Sequence, residues 1–161
     1  MGFSCVLLNL TAQDFQVDIV PVAPDDVEVR VESETDYYYT LFFGNSVTNL
    51  KVPADIDWGQ EEVTTLRDSG VLSDGSVTSG FYRVRRVPAS NPLDTDNDGI
   101  DDAYELDSPI LDPLDADDAT EDYDLDGFNN LTEYQVNADP MTYDPPPEIR
   151  ITYPHDGIVL P

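Results

Sequence analysis

The chain has 161 residues, of which 34 are acidic and 7 are basic, so its formal net charge is −27. That length suits one domain or two small ones. Nucleic acid is excluded as a partner because binding it requires Lys and Arg to neutralise phosphates, and insertion into membranes is not expected either. The excess of carboxylates instead suits a solvated surface or a binder of hard cations, which take oxygen ligands.

Residues 1–88 have the pattern of a β-domain. Short runs rich in β-branched and aromatic residues alternate with turn material such as Gly44–Asn45 and Pro53–Asp55. Strands at this spacing predict an antiparallel β-sandwich of the immunoglobulin or fibronectin kind. The predicted strands are Phe3–Leu8, Phe15–Val20, Val27–Val31, Tyr37–Phe43, Val47–Val52, Val63–Leu66 and Phe81–Val87.

Four aromatic residues of this region allow two interpretations. Tyr37, Tyr38 and Tyr39 fit a strand with alternating buried and exposed rings, or a flat aromatic platform that binds glycans. Trp58 fits a core or edge position more readily than a ligand site. We favour the structural interpretation for all four residues.

Residues 92–140 form a second region, the acidic module. No Lys or Arg occurs from Val87 to Ile149, although apolar residues such as Ile100, Leu111 and Leu131 recur there. A disordered acidic linker is one interpretation. The regular apolar residues favour a segment that folds once its charge is neutralised.

Two twelve-residue loops repeat within the acidic module. The first covers residues 94–105 and the second covers residues 122–133. Each has Asp at positions 1, 3 and 5, Gly at position 6, an oxygen-bearing side chain at position 9 and Glu at position 12. This is the spacing of EF-hand-type calcium loops.

The spacing has a physical cause. Calcium takes six to eight oxygens, and alternate carboxylates of a tight loop converge on one point. Gly99 and Gly127 permit the sharp turn, after which a short helix places positions 9 and 12 on one face. Without the ion the carboxylates would repel one another, so we expect folding and binding to be coupled. The predicted ligands, with backbone carbonyls at position 7, are Asp94, Asp96, Asp98, Ile100, Asp102, Glu105, Asp122, Asp124, Asp126, Phe128, Asn130 and Glu133.

No helical pattern precedes Asp94, so a full helix–loop–helix pair is not expected. The repeats resemble the thrombospondin type 3-like and dockerin-like repeats of secreted bacterial modular proteins. The first loop, the run Gly127–Tyr134 and the closing Asn137–Pro140 carry that resemblance. It implies a rigid, calcium-filled spacer with short helices, located outside the cell or at its surface.

A third ion is a further alternative between the two loops. The acidic residues that could serve it are Asp107, Asp112, Asp115, Asp117 and Asp118. We favour the simpler interpretation that these side chains keep the intervening loop soluble.

Residues 145–161 form a terminal segment with a strand-like run, Glu148–Tyr153. A lone strand does not persist in water, so it folds back or completes the sheet of another copy of the chain. Head-to-tail contacts of that kind propagate into open filaments unless they close into rings. The leading hypothesis is therefore a calcium-stabilised structural protein that forms a homopolymer. The alternative is a non-catalytic adhesion or carbohydrate-binding module.

Catalysis is not expected. His155 is the only histidine and lies in a turn, so no Ser-His-Asp or Cys-His arrangement is indicated. Carboxylate pairs are abundant, but the regularly spaced ones are assigned to calcium.

Overall fold

A computed structural model describes residues 4–7, 17–21, 26–69 and 79–145. The predicted terminal strand lies outside these residues. Within them, the helices lack the length and apolar character that crossing a membrane requires.

In the part of the chain that the structure describes, seven strands form two sheets, so the prediction of a mainly β chain is confirmed. The first sheet has the order β1-β7-β4-β5 and the second has the order β2-β3-β6. All neighbours are antiparallel except β1 and β7, which run parallel. The strands are β1 Ser4–Leu7, β2 Val17–Pro21, β3 Asp26–Glu32, β4 Tyr37–Gly44, β5 Val52–Trp58, β6 Val63–Ser69 and β7 Ser79–Pro88.

The main hydrophobic cluster takes side chains from both sheets. Val29 and Val31 of β3 contribute from one sheet, and Leu41 and Phe43 of β4 contribute from the other. They lie at alternate positions because successive side chains of a strand point to opposite faces. The inner faces of the two sheets therefore share one core.

The fifth strand corrects one prediction. We expected a strand at Val47–Val52 and a turn at Pro53–Asp55, but the strand is Val52–Trp58 and includes the predicted turn. Proline is tolerated there because β5 ends its sheet, and the register against β4 shifts between Leu41 and Phe42. The proline signal marked an irregular edge strand instead of a turn.

The outer face of β4 corrects a second prediction. Tyr38 and Tyr39 point to opposite faces, yet both are fully buried, so the expected alternation of buried and exposed rings is wrong. The acidic module covers the outer face: Leu106 and Leu114 pack against the cluster that contains Tyr38. The Tyr38 hydroxyl also accepts a hydrogen bond from the Leu93 N–H at 2.8 Å.

Trp58 also belongs to this contact. It ends β5, its ring meets the Tyr38 ring edge-on, and its Nε1–H donates to Asp107 at 3.0 Å. This position agrees with the predicted core or edge role. The module and the β-domain are thus joined by packing and by hydrogen bonds.

Three short helices occur in the acidic module: α1 Asp102–Asp107, a 3-10 helix Asp118–Thr120 and α2 Asn130–Val136. Asp101 caps α1 and Asn129 caps α2, and each occupies position 8 of its loop. A small core of Ile100, Leu111 and Ala119 lies between the repeats.

Candidate metal centre

The two loops have the same backbone conformation. Position 6 is left-handed in both, with φ of 102° at Gly99 and 101° at Gly127, as the glycines predict. Position 4 is left-handed as well, with φ of 67° at Asn97 and 65° at Leu125. The sequence did not predict this second turn at Leu125, because leucine seldom adopts it.

The same hydrogen bonds hold the aspartates in both loops. In the first, the Gly99 N–H donates to Asp94 at 3.2 Å and the Ile100 N–H donates to Asp98 at 2.7 Å. The equivalent bonds of the second loop are 3.0 and 2.8 Å long. Each bond uses one carboxylate oxygen and fixes the side chain. The other oxygen has no hydrogen-bond partner in Asp98 and Asp122, whereas in Asp94 and Asp126 it accepts from the N–H groups of Asn97 and Asp144.

A backbone hydrogen bond closes each loop at its base. The N–H of Asp102 donates to the carbonyl of Leu93 at 2.7 Å, and that of Asn130 donates to the carbonyl of Glu121 at 2.8 Å. Both bonds join position 9 to the residue before position 1. The two loops are therefore structural repeats.

The glutamates at position 12 are the most informative residues of the site. Glu105 is fully buried and Glu133 is 2% exposed. Neither carboxylate oxygen of either residue has a hydrogen-bond partner. A buried carboxylate without partners is costly, and buried charges are usually paired or bound to a metal. A cation between the aspartates and the glutamate would remove that cost.

Among the described residues, three groups of acidic side chains could hold a metal ion, because their oxygens lie within 4.8 Å of one another. One joins Asp94, Asp96 and Asp98, and another joins Asp122, Asp124 and Asp126. All the candidate ligand atoms are carboxylate oxygens, which suit hard divalent cations. Of the two position-12 glutamates, Glu105 shares a group with Asp98, whereas Glu133 lies in none of the groups.

The electrostatics agree with this assignment. Burial, followed by the charges of Asp96 and Asp98, raises the pKa of Glu105 to about 9. Burial and the aspartates of the second loop raise the pKa of Glu133 to about 7. Burial and the neighbouring Asp98 raise the pKa of Asp96 to about 6. A divalent cation would reverse these shifts, because it stabilises the ionised form.

Hydrogen bonds hold the side chain at position 9 in both loops. Both carboxylate oxygens of Asp102 accept hydrogen bonds from Thr95, at 2.7 and 2.8 Å, so Asp102 braces the loop. The Nδ2 group of Asn130 donates to the carbonyl of Asp118 at 2.7 Å, and its buried Oδ1 has no partner. Among the described residues, Asp102 belongs to none of the acidic groups. Their role as ligands stays a prediction, as does that of the carbonyls at position 7.

Asp118 is the residue that the loop spacing missed. The third acidic group joins it to Asp98 and Glu105 of the first loop. The sequence pattern indicates Asp118 only as a candidate ligand of a third ion. The other four candidates, Asp107, Asp112, Asp115 and Asp117, lie in none of the three groups. The sequence indicates an inward-facing turn only through the small apolar residue Ala119, which follows Asp118. In the structure Ala119 is 1% exposed.

Comparisons of the chain with models of known families, with curated proteins and with solved structures found no match. The resemblance to thrombospondin type 3-like repeats therefore depends on the motif alone.

Proposed function

We propose that the chain is a non-catalytic structural protein whose acidic module is folded and stiffened by calcium outside the cell. The observation that carries this proposal is the pair of buried position-12 glutamates without hydrogen-bond partners, each at the end of an aspartate-rich loop. Calcium at millimolar concentration, as found outside cells, would fill such loops.

Calcium suits these loops better than magnesium. Each loop offers three aspartates and a glutamate, besides the oxygens predicted at positions 7 and 9. Calcium accepts six to eight such ligands in flexible geometry, whereas magnesium demands a strict octahedron and keeps its water. With a dissociation constant of about 0.1 mM, about 1 mM calcium would add roughly 1.4 kcal/mol of stability per site.

We infer an immunoglobulin-like sandwich joined to an EF-hand-like module. The shared core of the two sheets supports the first part, and the repeated loop conformation supports the second. Because Tyr38 and Trp58 attach the module to a sheet, calcium binding would stiffen the connection between them.

We further propose that copies of the chain join head-to-tail by strand addition. The side of the β-domain formed by β5 and β6 is less suited to strand addition, because the Asp55 carboxylate of β5 accepts the Arg67 N–H of β6 at 2.6 Å. The opposite side consists of β1 and β2, and neither has a second strand neighbour among the described residues. A strand from residues 145–161 of another copy would add there.

A glycan-binding module is the alternative. A cleft of about 690 Å³ at the module contact is lined by Tyr37, Trp58 and Asp107, which brings two aromatic rings and a carboxylate together as a sugar site requires. The full Tyr37–Tyr39 platform is not available, because two of its rings are buried. A glycan array separates the alternatives: selective binding that is lost on Trp58→Ala would favour the module over the filament.

Calcium titration by calorimetry and negative-stain microscopy test the proposal. We expect two ions per chain at least, and filaments in calcium that shorten or dissolve in chelator. Deleting residues 146–161 should abolish filaments and leave calcium binding unchanged. Absence of binding at millimolar calcium would contradict the calcium proposal, and monodisperse monomers in calcium would contradict the filament proposal.

A further inference from the structure

We propose that Asp118, which lies between the repeats, is a ligand of the cation in the first loop and couples that cation to the second repeat. The inference depends on the proposed cation-binding function and extends it to a residue outside both loops. It also predicts that the two sites bind cooperatively.

The first step is proximity. One carboxylate oxygen each from Asp98, Glu105 and Asp118 lies within 4.8 Å of the others. Asp98 also belongs to the group that contains Asp94 and Asp96. The two groups therefore merge into one set of five carboxylates around the first loop. The acidic group of the second loop, Asp122, Asp124 and Asp126, contains no residue from outside that loop.

The second step is orientation. Asp118 is 7% exposed, and its Oδ2 accepts a hydrogen bond from the Asp112 N–H at 2.6 Å. Its Oδ1 is buried and has no hydrogen-bond partner. Glu105, fully buried, has two such oxygens in the same group. Buried oxygens without donors are expected where a cation completes their coordination.

Neighbouring aspartates behave differently. Asp112 and Asp115 accept ordinary turn hydrogen bonds from the N–H groups of Leu114 and Asp117, and both are exposed. Asp117 is exposed as well. Asp118 alone among these aspartates of the connecting segment is turned inward, so loop solubility does not account for it.

The third step is the link to the second loop. The carbonyl of Asp118 accepts hydrogen bonds from the Asn130 side chain at 2.7 Å and from the Glu121 N–H at 3.0 Å. Asn130 is the first residue of α2, and its N–H donates to Glu121. A cation that fixes Asp118 thus fixes the turn on which the second loop closes. Filling the first site should preorganise the second, which is positive cooperativity.

Calcium titration of the full chain tests this inference, with Asp118→Asn as the variant and Asp117→Asn as the matched control. We expect the wild type to bind two ions cooperatively. Asp118→Asn should weaken the first site by at least about tenfold and abolish cooperativity, because one charged ligand is lost. Asp117→Asn should bind as the wild type does.

A crystal structure of the wild-type calcium form decides the ligand assignment even where Asp118→Asn does not fold. An Asp118 oxygen at about 2.3–2.6 Å from the ion is the expected result. An ion in the first loop with Asp118 beyond this coordination distance would overturn the inference, as would unchanged affinity and cooperativity in Asp118→Asn. A wild type that binds no calcium would overturn the proposed function itself, so the two failures are distinguishable.

Discussion

The two acidic loops share one backbone but differ in their surroundings. The first lies against the β-domain, where Thr95 and Asp102 brace it, and it gains Asp118 from the connecting segment. The second carries Leu125 in a left-handed conformation with 79% of its surface exposed.

The consequence is electrostatic. Burial, followed by four neighbouring carboxylates in each case, raises the pKa of Glu105 to about 9 and that of Glu133 to about 7. Ionising Glu105 therefore costs more than ionising Glu133, and only the first loop has Asp118 beside it as an additional candidate ligand. An identical motif can thus specify sites of different strength, because the ligands outside the motif differ.

Replacing the position-12 glutamates should give the largest effects. Glu105→Gln and Glu133→Gln should each weaken their own site by about 100-fold, because affinity follows the charge and number of ligands. In chelator at pH 9 both variants should melt higher than the wild type, and Glu105→Gln by more, because it removes the more unfavourable charge. Calorimetry and thermal melts measure both effects. Equal increases in melting temperature for the two variants would contradict the contrast between the loops.

The pH dependence of stability should reverse with calcium. A raised folded pKa means that the folded state binds protons more tightly than the unfolded state, so stability falls as pH rises. In chelator, the contribution of Glu133 to stability should be lost between about pH 4.5 and pH 7, and that of Glu105 between about pH 4.5 and pH 9. In calcium the glutamates stay ionised, so stability should instead fall as pH decreases. Denaturant melts at several pH values, with and without chelator, test both signs.

The contact between module and β-domain can be weakened at one atom. Tyr38→Phe removes the acceptor of the Leu93 N–H and should cost about 1–3 kcal/mol. Tyr39→Phe is the matched control, because its hydroxyl accepts from the Glu34 N–H within the β-domain. Only Tyr38→Phe should increase hydrogen exchange in the first loop. The same increase in both variants would show that this contact does not brace the loop.

Position 4 should give the smallest effect. Leu125→Asn should stabilise the second loop by up to about 1 kcal/mol, because asparagine tolerates the left-handed conformation better than leucine. Asn97→Leu should destabilise the first loop by a similar amount. Urea melts in chelator and in calcium measure both changes. A destabilising Leu125→Asn would mean that the leucine side chain makes a favourable contact elsewhere.

Local patterns predicted much of this molecule. Alternation in β3 and the glycines of the loops each report a local geometric requirement, so the sequence alone was sufficient for them. The ligand role of Glu105 and Glu133 stays a prediction of the motif.

Long-range packing was not predictable in the same way. Tyr38 is buried because a module distant in sequence covers its sheet, and Asp118 turns inward because Asp112 and Asn130 hold it. Pro53 misled the prediction because an edge strand tolerates what a central strand does not.

Hydrogen exchange of residues 94–105 and 122–133, with and without calcium, tests the central claim most directly. In about 1 mM calcium we expect strong protection of both loops and a decrease of at least about tenfold in chelator, since ordering depends on the ion. Equal protection in calcium and in chelator would contradict the claim that a divalent cation holds these loops closed.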